Sequence, residues 1–146
     1  MAGRADTPVI RGEAAGPPPI LSAWEAELVE QVRAGVGEAE ADPVRVDREL
    51  VGGDVLSGDA HVVAAPGHTP VRVALYLPGP GVLFTGDAVA RSEGRVIRGV
   101  FNADPAGAEA TFQIVAGLDV RVACFGHGDP LTEDAATLLR AAASGQ

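Results

Sequence analysis

Residues 61–87 read HVVAAPGHTPVRVALYLPGPGVLFTGD, and the fold turns on how this stretch is read. His61 to Ala65 is an apolar run that ends at Pro66-Gly67, as a strand entering a turn does. Val71 to Leu77 is the clearest strand pattern in the chain, rich in β-branched and aromatic residues. Pro78-Gly79-Pro80-Gly81 cannot continue it and must turn, and Val82 to Thr85 runs back as its partner. The stretch therefore predicts a strand, a polar turn carrying His68, and a hairpin that ends at Gly86-Asp87.

Upstream, Val44, Val46 and Leu50 alternate with Arg45, Asp47 and Glu49, which predicts a half-exposed strand from Pro43. Val51 to Leu56 reads as a turn entering another short strand. Before these, Ser22-Ala23-Trp24-Glu25 matches a capping box. Trp24, Leu28 and Val32 follow at helical spacing, with Glu25, Glu27, Glu30 and Arg33 on the other side. This predicts an amphipathic helix over Ala23 to Ala34, ended by Gly35 and Gly37. Residues 1–21, with Pro17-Pro18-Pro19, show no period and are expected to be irregular.

Downstream, the polar, Arg-rich segment from Asp87 to Phe101 reads as a loop. Asp104-Pro105 opens a helix to about Ala116 that stops near Gly117, Asp104 serving as cap and Pro105 as first helical residue. Val120 to Phe125 reads as a short buried strand, broken by Gly126-His127-Gly128-Asp129-Pro130. Thr132 is expected to cap a final helix to about Ala143. The order is helix, strands in hairpins, helix, strand, helix, an α+β pattern in a single domain over residues 1–146. That domain divides into a lead-in at 1–21, a helix at 22–37, and strands with two helices at 43–146.

Composition narrows the function. Of 146 residues, 47% are hydrophobic, enough for a globular core. Eleven basic residues, all Arg and scattered, face 20 acidic ones for a net charge of -9. Such a balance argues against a nucleic-acid partner and against an anionic membrane surface. No apolar run approaches the roughly 20 residues of a membrane-spanning helix. The opening residues lack the apolar stretch of a secretory signal, so a cytoplasmic protein is expected. The single cysteine, Cys124, excludes an internal disulfide and reads as a small apolar thiol on a strand.

Three segments share one format, an apolar strand ending at a glycine with an ionisable group on the break. They are Pro66-Gly67-His68-Thr69-Pro70, Phe84-Thr85-Gly86-Asp87 and Phe125-Gly126-His127-Gly128. Imidazole and carboxylate suit zinc, but the wide separations exclude any local zinc-finger spacing, so only tertiary folding could gather them. Each also has a plain reading as a turn residue or Asx turn. His61, with Asp59 near it, reads as a strand residue.

In this order and with these intervening elements, the three segments resemble the later metal-ligand motifs of the metallo-β-lactamase-fold hydrolases, from about Val44 to the C-terminus. The resemblance implies an αββα sandwich with one or two metals, commonly zinc, at one edge. It gives His68 to the first metal, Asp87 to a bridge between the two, and His127 to the second. It implies hydrolysis of a small ester, thioester, lactone or amide by metal-activated water. The family's H-x-H-x-D-H motif is absent from this sequence, whose only histidines are His61, His68 and His127. Three His and one Asp ligand are therefore missing, and the expectation is an N-terminally truncated sandwich, inactive by itself. A non-catalytic binding or assembly module, and a site completed by a second chain, are the competing readings. Truncation would leave a sheet edge exposed for homo-oligomer formation. Where the family continues with Gly after Pro70, this chain has Val71-Arg72, and a left-handed turn at Val71 would be strained. Arg91, Arg95 and Arg98 read as solvated loop charges, or as an entrance attracting anionic substrates.

Overall fold

Three strands of the main sheet run the same way and end on one rim, and this places every candidate residue. The computed structural model describes residues 1–36 and 42–145. In chain order the elements are β1 (Ala2–Gly3), α1 (Thr7–Ile10), α2 (Ala23–Val36), β2 (Glu49–Leu50), β3 (Val55–Leu56), β4 (Ala60–Ala64), β5 (Val73–Leu77) and β6 (Val82–Phe84). A 3₁₀ turn (Gly86–Ala88) leads to β7 (Val89–Ser92), β8 (Arg95–Arg98), α3 (Pro105–Ala116), β9 (Val122–Cys124) and α4 (Ala135–Ser144). The main sheet has five strands in the order β3-β4-β5-β6-β9. Its first three pairings are antiparallel and β6-β9 is parallel, so β4, β6 and β9 share a direction.

Register assigns the faces. Tyr76 pairs with Leu83 and Leu83 with Ala123, while Leu75 pairs with Phe84 and Phe84 with Cys124. The face with Ala74, Leu83 and Ala123 is buried under α3 and α4. On α3, Ala108, Thr111, Phe112, Val115 and Ala116 are buried, the i, i+3, i+4, i+7, i+8 stripe of a core helix. On α4, Ala135, Leu139 and Ala143 do the same. The α3 opening is as the residues predict, with the Asp104 carboxylate accepting from the Gly107 N–H at 3.0 Å. The opposite face, with Leu75, Leu77, Val82 and Val122, is half-buried, and Phe84 on it is 45% exposed.

Several local expectations need correction. The segment from Pro43 is not a long strand: only Glu49–Leu50 is extended and paired, parallel to Ala2–Gly3. Alternation without a neighbour to complete the hydrogen bonds does not make a strand. The lead-in holds α1, whose buried Thr7 donates from its hydroxyl to the Gly3 carbonyl at 3.1 Å. The Arg-rich loop contains the β7–β8 hairpin, turned at Glu93-Gly94, both with positive φ.

The last helix begins at Ala135, with Asp134 rather than Thr132 in the cap position. In the capping box, Glu25 does reach back to the Ser22 N–H at 2.8 Å. The Ser22 hydroxyl, however, donates to that same carboxylate at 2.6 Å instead of accepting from the helix. Gly35, expected to end α2 after Ala34, lies within it, since the helix runs on to Val36; Gly37, the other expected stop, lies outside the described residues.

Candidate functional site

Because β4, β6 and β9 run in one direction, the loops that leave them emerge on one rim. They carry His68, Asp87 and His127 respectively. Strands next to each other are about 4.8 Å apart, so Asp87 and His127, on the loops that leave adjacent β6 and β9, meet: His127 Nε2 lies 3.4 Å from Asp87 Oδ1. His68 stands beyond β5. All three line one cavity of about 260 Å³, walled on its other sides by Trp24, Leu28, Ile97, Val100 and Phe101.

Backbone bonds past the strand ends hold these loops. Thr85 N–H donates to the Cys124 carbonyl at 2.9 Å, and Gly126 N–H to the Gly86 carbonyl at 2.9 Å. Gly126 is required by this proximity, since a Cβ there would run into Asp87 Oδ1. The His68 loop is held by α3. Asp104 N–H donates to the Gly67 carbonyl at 2.8 Å, and the Thr111 hydroxyl to the Pro66 carbonyl at 2.6 Å. Gly67 has φ +137 and its Cα lies against the Ala108 backbone, so no side chain fits there. Val71 is not among the residues with positive φ, so the strain anticipated after Pro70 does not arise: Gly67 absorbs the turn instead.

His68 is oriented by its other neighbour. Its Nδ1 lies 2.9 Å from the Val100 carbonyl, which only accepts, so Nδ1 carries a proton and Nε2 is the nitrogen left to face a ligand. His127 is far more open, with its side chain 77% exposed.

Asp87 has a partner that sequence reasoning missed. Arg72 donates from Nη1 to Asp87 Oδ2, and both side chains are largely buried, at 24% and 28% exposure. Topology explains it. β5 runs against its neighbours, so it begins on the rim where β4 and β6 end, and Arg72 immediately precedes it. Burial alone pushes the Asp87 carboxyl up. The Arg72 hydrogen bond and charge, with smaller contributions from His68 and His127, outweigh burial and hold it below the usual carboxylate range. The departure at Val71-Arg72 was the available signal, but it pointed to backbone strain rather than to charge.

Other residues separate cleanly. Arg91 lines the cavity, Arg98 pairs with Glu109 at 3.2 Å, and Arg95 is exposed beside Glu93. Cys124 is free and half-buried on β9. His61 sits on β4 with its ring 3.1 Å from Asp59. Glu25, expected on the outer side of α2, is buried. Its carboxylate accepts from the Phe101 N–H at 3.1 Å and so ties the helix to the cavity wall.

The sheet with its helices, and this rim, define a class. The chain belongs to the metallo-beta-lactamase superfamily, whose family model matches residues 2–127, further upstream than Val44. The hydroxyacylglutathione hydrolase of Rhodobacter capsulatus is 43% identical over 68 residues, covering 42% of this chain and 27% of that protein. The hydroxyacylglutathione hydrolase of Cereibacter sphaeroides is 33% identical over 114 residues, covering 68% and 42% respectively. The chain thus spans less than half the length of these curated relatives.

Among solved structures, the metallo-beta-lactamase family protein TTHA1429 from Thermus thermophilus superposes with a TM-score of 0.61 at 21% identity, over 99% of this chain and 50% of its own. TTHA1623, in a di-iron-bound form, gives 0.65 at 24% identity, over 97% and 61%. These two likenesses establish the fold.

The donors on the rim do not make a metal site as they stand. Among the described residues, no three His, Cys, Asp or Glu side chains are gathered closely enough to hold an ion. Zinc needs three protein donors with an open position, or four. Here the central carboxylate already has a guanidinium on one oxygen and an imidazole near the other. Also among the described residues, no helix is long and apolar enough to cross a membrane.

Proposed function

We propose that this chain carries half of a hydrolase site, acting on a small ester or thioester, with His68, Asp87 and His127 as its zinc ligands. The remaining ligands come from outside these residues, and the chain by itself is inactive. One observation carries this reading: three side chains far apart in sequence share a single cavity whose other walls are mainly apolar, with Arg91 and Ser92 among them. The names of the relatives favour an acyl-glutathione thioester over an amide or lactone. The cavity supplies what such an acyl group needs, with Trp24, Leu28 and Phe101 to exclude water and Arg91 at the wall for an anionic portion. His68, with Nδ1 fixed on Val100, presents Nε2 in the tautomer a ligand requires. A completing segment would also cover the sheet face that leaves Phe84 exposed, and self-association through an open sheet edge belongs to the same proposal. A cytoplasmic location belongs to the same proposal and agrees with the unpaired Cys124.

The Arg72–Asp87 pair favours a second reading, a metal-free binding or assembly module. Thioester hydrolysis separates the two. The chain is assayed with zinc, alone and co-expressed with the N-terminal half of the Cereibacter sphaeroides relative. The hydrolase reading expects no turnover alone, turnover in the pair, and its loss on His127→Ala or Asp87→Asn. A silent pair, or turnover that survives both substitutions, leaves the binding module.

A further inference from the structure

The carboxylate at the centre of the rim already holds a cation, and that cation is part of the chain. Arg72 is anchored through its backbone: its carbonyl accepts from the Ala65 N–H at 2.8 Å, which fixes the start of β5 against the end of β4. Its guanidinium crosses the rim to Asp87 Oδ2 and packs over Gly86, where an added Cβ would lie 3.4 Å from Nη1. Asp87 Oδ1 faces His127 instead. A guanidinium keeps its charge throughout the accessible pH range, so it cannot leave the carboxylate by losing a proton. It can leave only by swinging its stem away, which strands a largely buried carboxylate unless another cation takes its place.

We propose that Arg72 is a resident counter-cation that closes this site, Asp87 accepting either the guanidinium or a divalent metal ion but not both. Metal affinity in this chain is then set by Arg72 as much as by the ligands. The proposal rests on the reading of Asp87 and His127 as ligands, and its test is arranged to fail separately from that reading.

Cobalt(II) serves as the probe, titrated into the purified 146-residue chain and followed by its visible d–d absorption, with zinc calorimetry in parallel. The proteins are the parent chain, Arg72→Met, Arg72→Met with Asp87→Asn, and His127→Ala. Met keeps a flexible stem over Gly86 and removes the charge. Arg72→Met is expected to bind about tenfold tighter or more than the parent, because a like charge against the ion is gone. Asp87→Asn should abolish the gain.

A second readout needs no cobalt spectrum. Zinc should raise the melting temperature of Arg72→Met and leave the parent's nearly unchanged. If Arg72→Met is unfolded without metal, zinc-driven recovery of its helical circular dichroism, dependent on Asp87, supports the proposal equally. Failure to recover at saturating zinc overturns it. Equal affinities for parent and Arg72→Met also overturn it, and if His127→Ala then weakens binding, the ligand reading still stands. Cobalt binding indifferent to Asp87→Asn and His127→Ala removes the ligand reading and this proposal with it.

Discussion

Replacing Glu25 by Ala should release the wall of the cavity without unfolding the sheet. Glu25 is 8% exposed, and its carboxylate accepts three hydrogen bonds, from Ser22 N–H at 2.8 Å, Ser22 Oγ at 2.6 Å and Phe101 N–H at 3.1 Å. Burial raises its pKa, but the bonds from Ser22 and Phe101, and the Arg98 charge, outweigh this and keep it ionised. A hydrogen bond to an ionised acceptor contributes about 1.5–3 kcal/mol. Ser22 is exposed, so water replaces most of its two bonds. The Phe101 bond remains, worth about 1.5–3 kcal/mol.

Little else resists the change. A 14-residue helix is marginal by itself, and Trp24, its largest side chain, is 56% exposed. Phe101 sits at φ +59, a conformation that the bond to Glu25 helps to hold. The local opening constant of α2 and of residues 99–102 should rise about 30-fold, the equivalent of roughly 2 kcal/mol. Hydrogen exchange read by mass spectrometry tests this, with α3 as the internal reference. Because Val100 orients His68, the same loosening should broaden the His68 ring resonances. Glu25→Gln, which keeps an acceptor but loses the charge, should show about half the effect. Unchanged exchange in α2 would rule out the tether, and an equal loss in α2 and α3 would place Glu25 in the global core instead.

Three further outcomes follow from other contacts. Phe112 is fully buried at the centre of the core, so Phe112→Ala should cost about 3–5 kcal/mol in urea denaturation, and a loss under about 1 kcal/mol would contradict this packing. Gly126→Ala drives a methyl group into Asp87 Oδ1 and should cost about 1–3 kcal/mol, visible as a lowered melting temperature; an unchanged melt would show that β6 and β9 do not hold their loops this closely. Asp87 and Glu25 both have folded pKa values below their ordinary ones, so each stabilises the fold above the unfolded value and loses that contribution as pH falls through the folded one. The urea midpoint should therefore hold down to about pH 5 and fall below about pH 4, less steeply in Glu25→Gln, and an identical slope in that variant would exclude Glu25 from the acid transition.

Whatever short-range chemistry governs was legible in the chain before any coordinates. Prolines and glycines placed the turn at 78–81, Asp104-Pro105 opened α3, and apolar runs marked β4, β5, β6 and β9, whereas the apolar stripe read on α2 leaves Trp24 and Val32 exposed. The same reading singled out His68, Asp87 and His127, because each sits where a strand breaks at a glycine. Which of these breaks share a rim came only with folding, since strand direction in a sheet is set by partners tens of residues away. The same non-local pairing made a strand of Glu49–Leu50 but not of Val44 and Val46, and it set Arg72 on Asp87. No local pattern encodes an ion pair formed because an antiparallel strand starts where its parallel neighbours end.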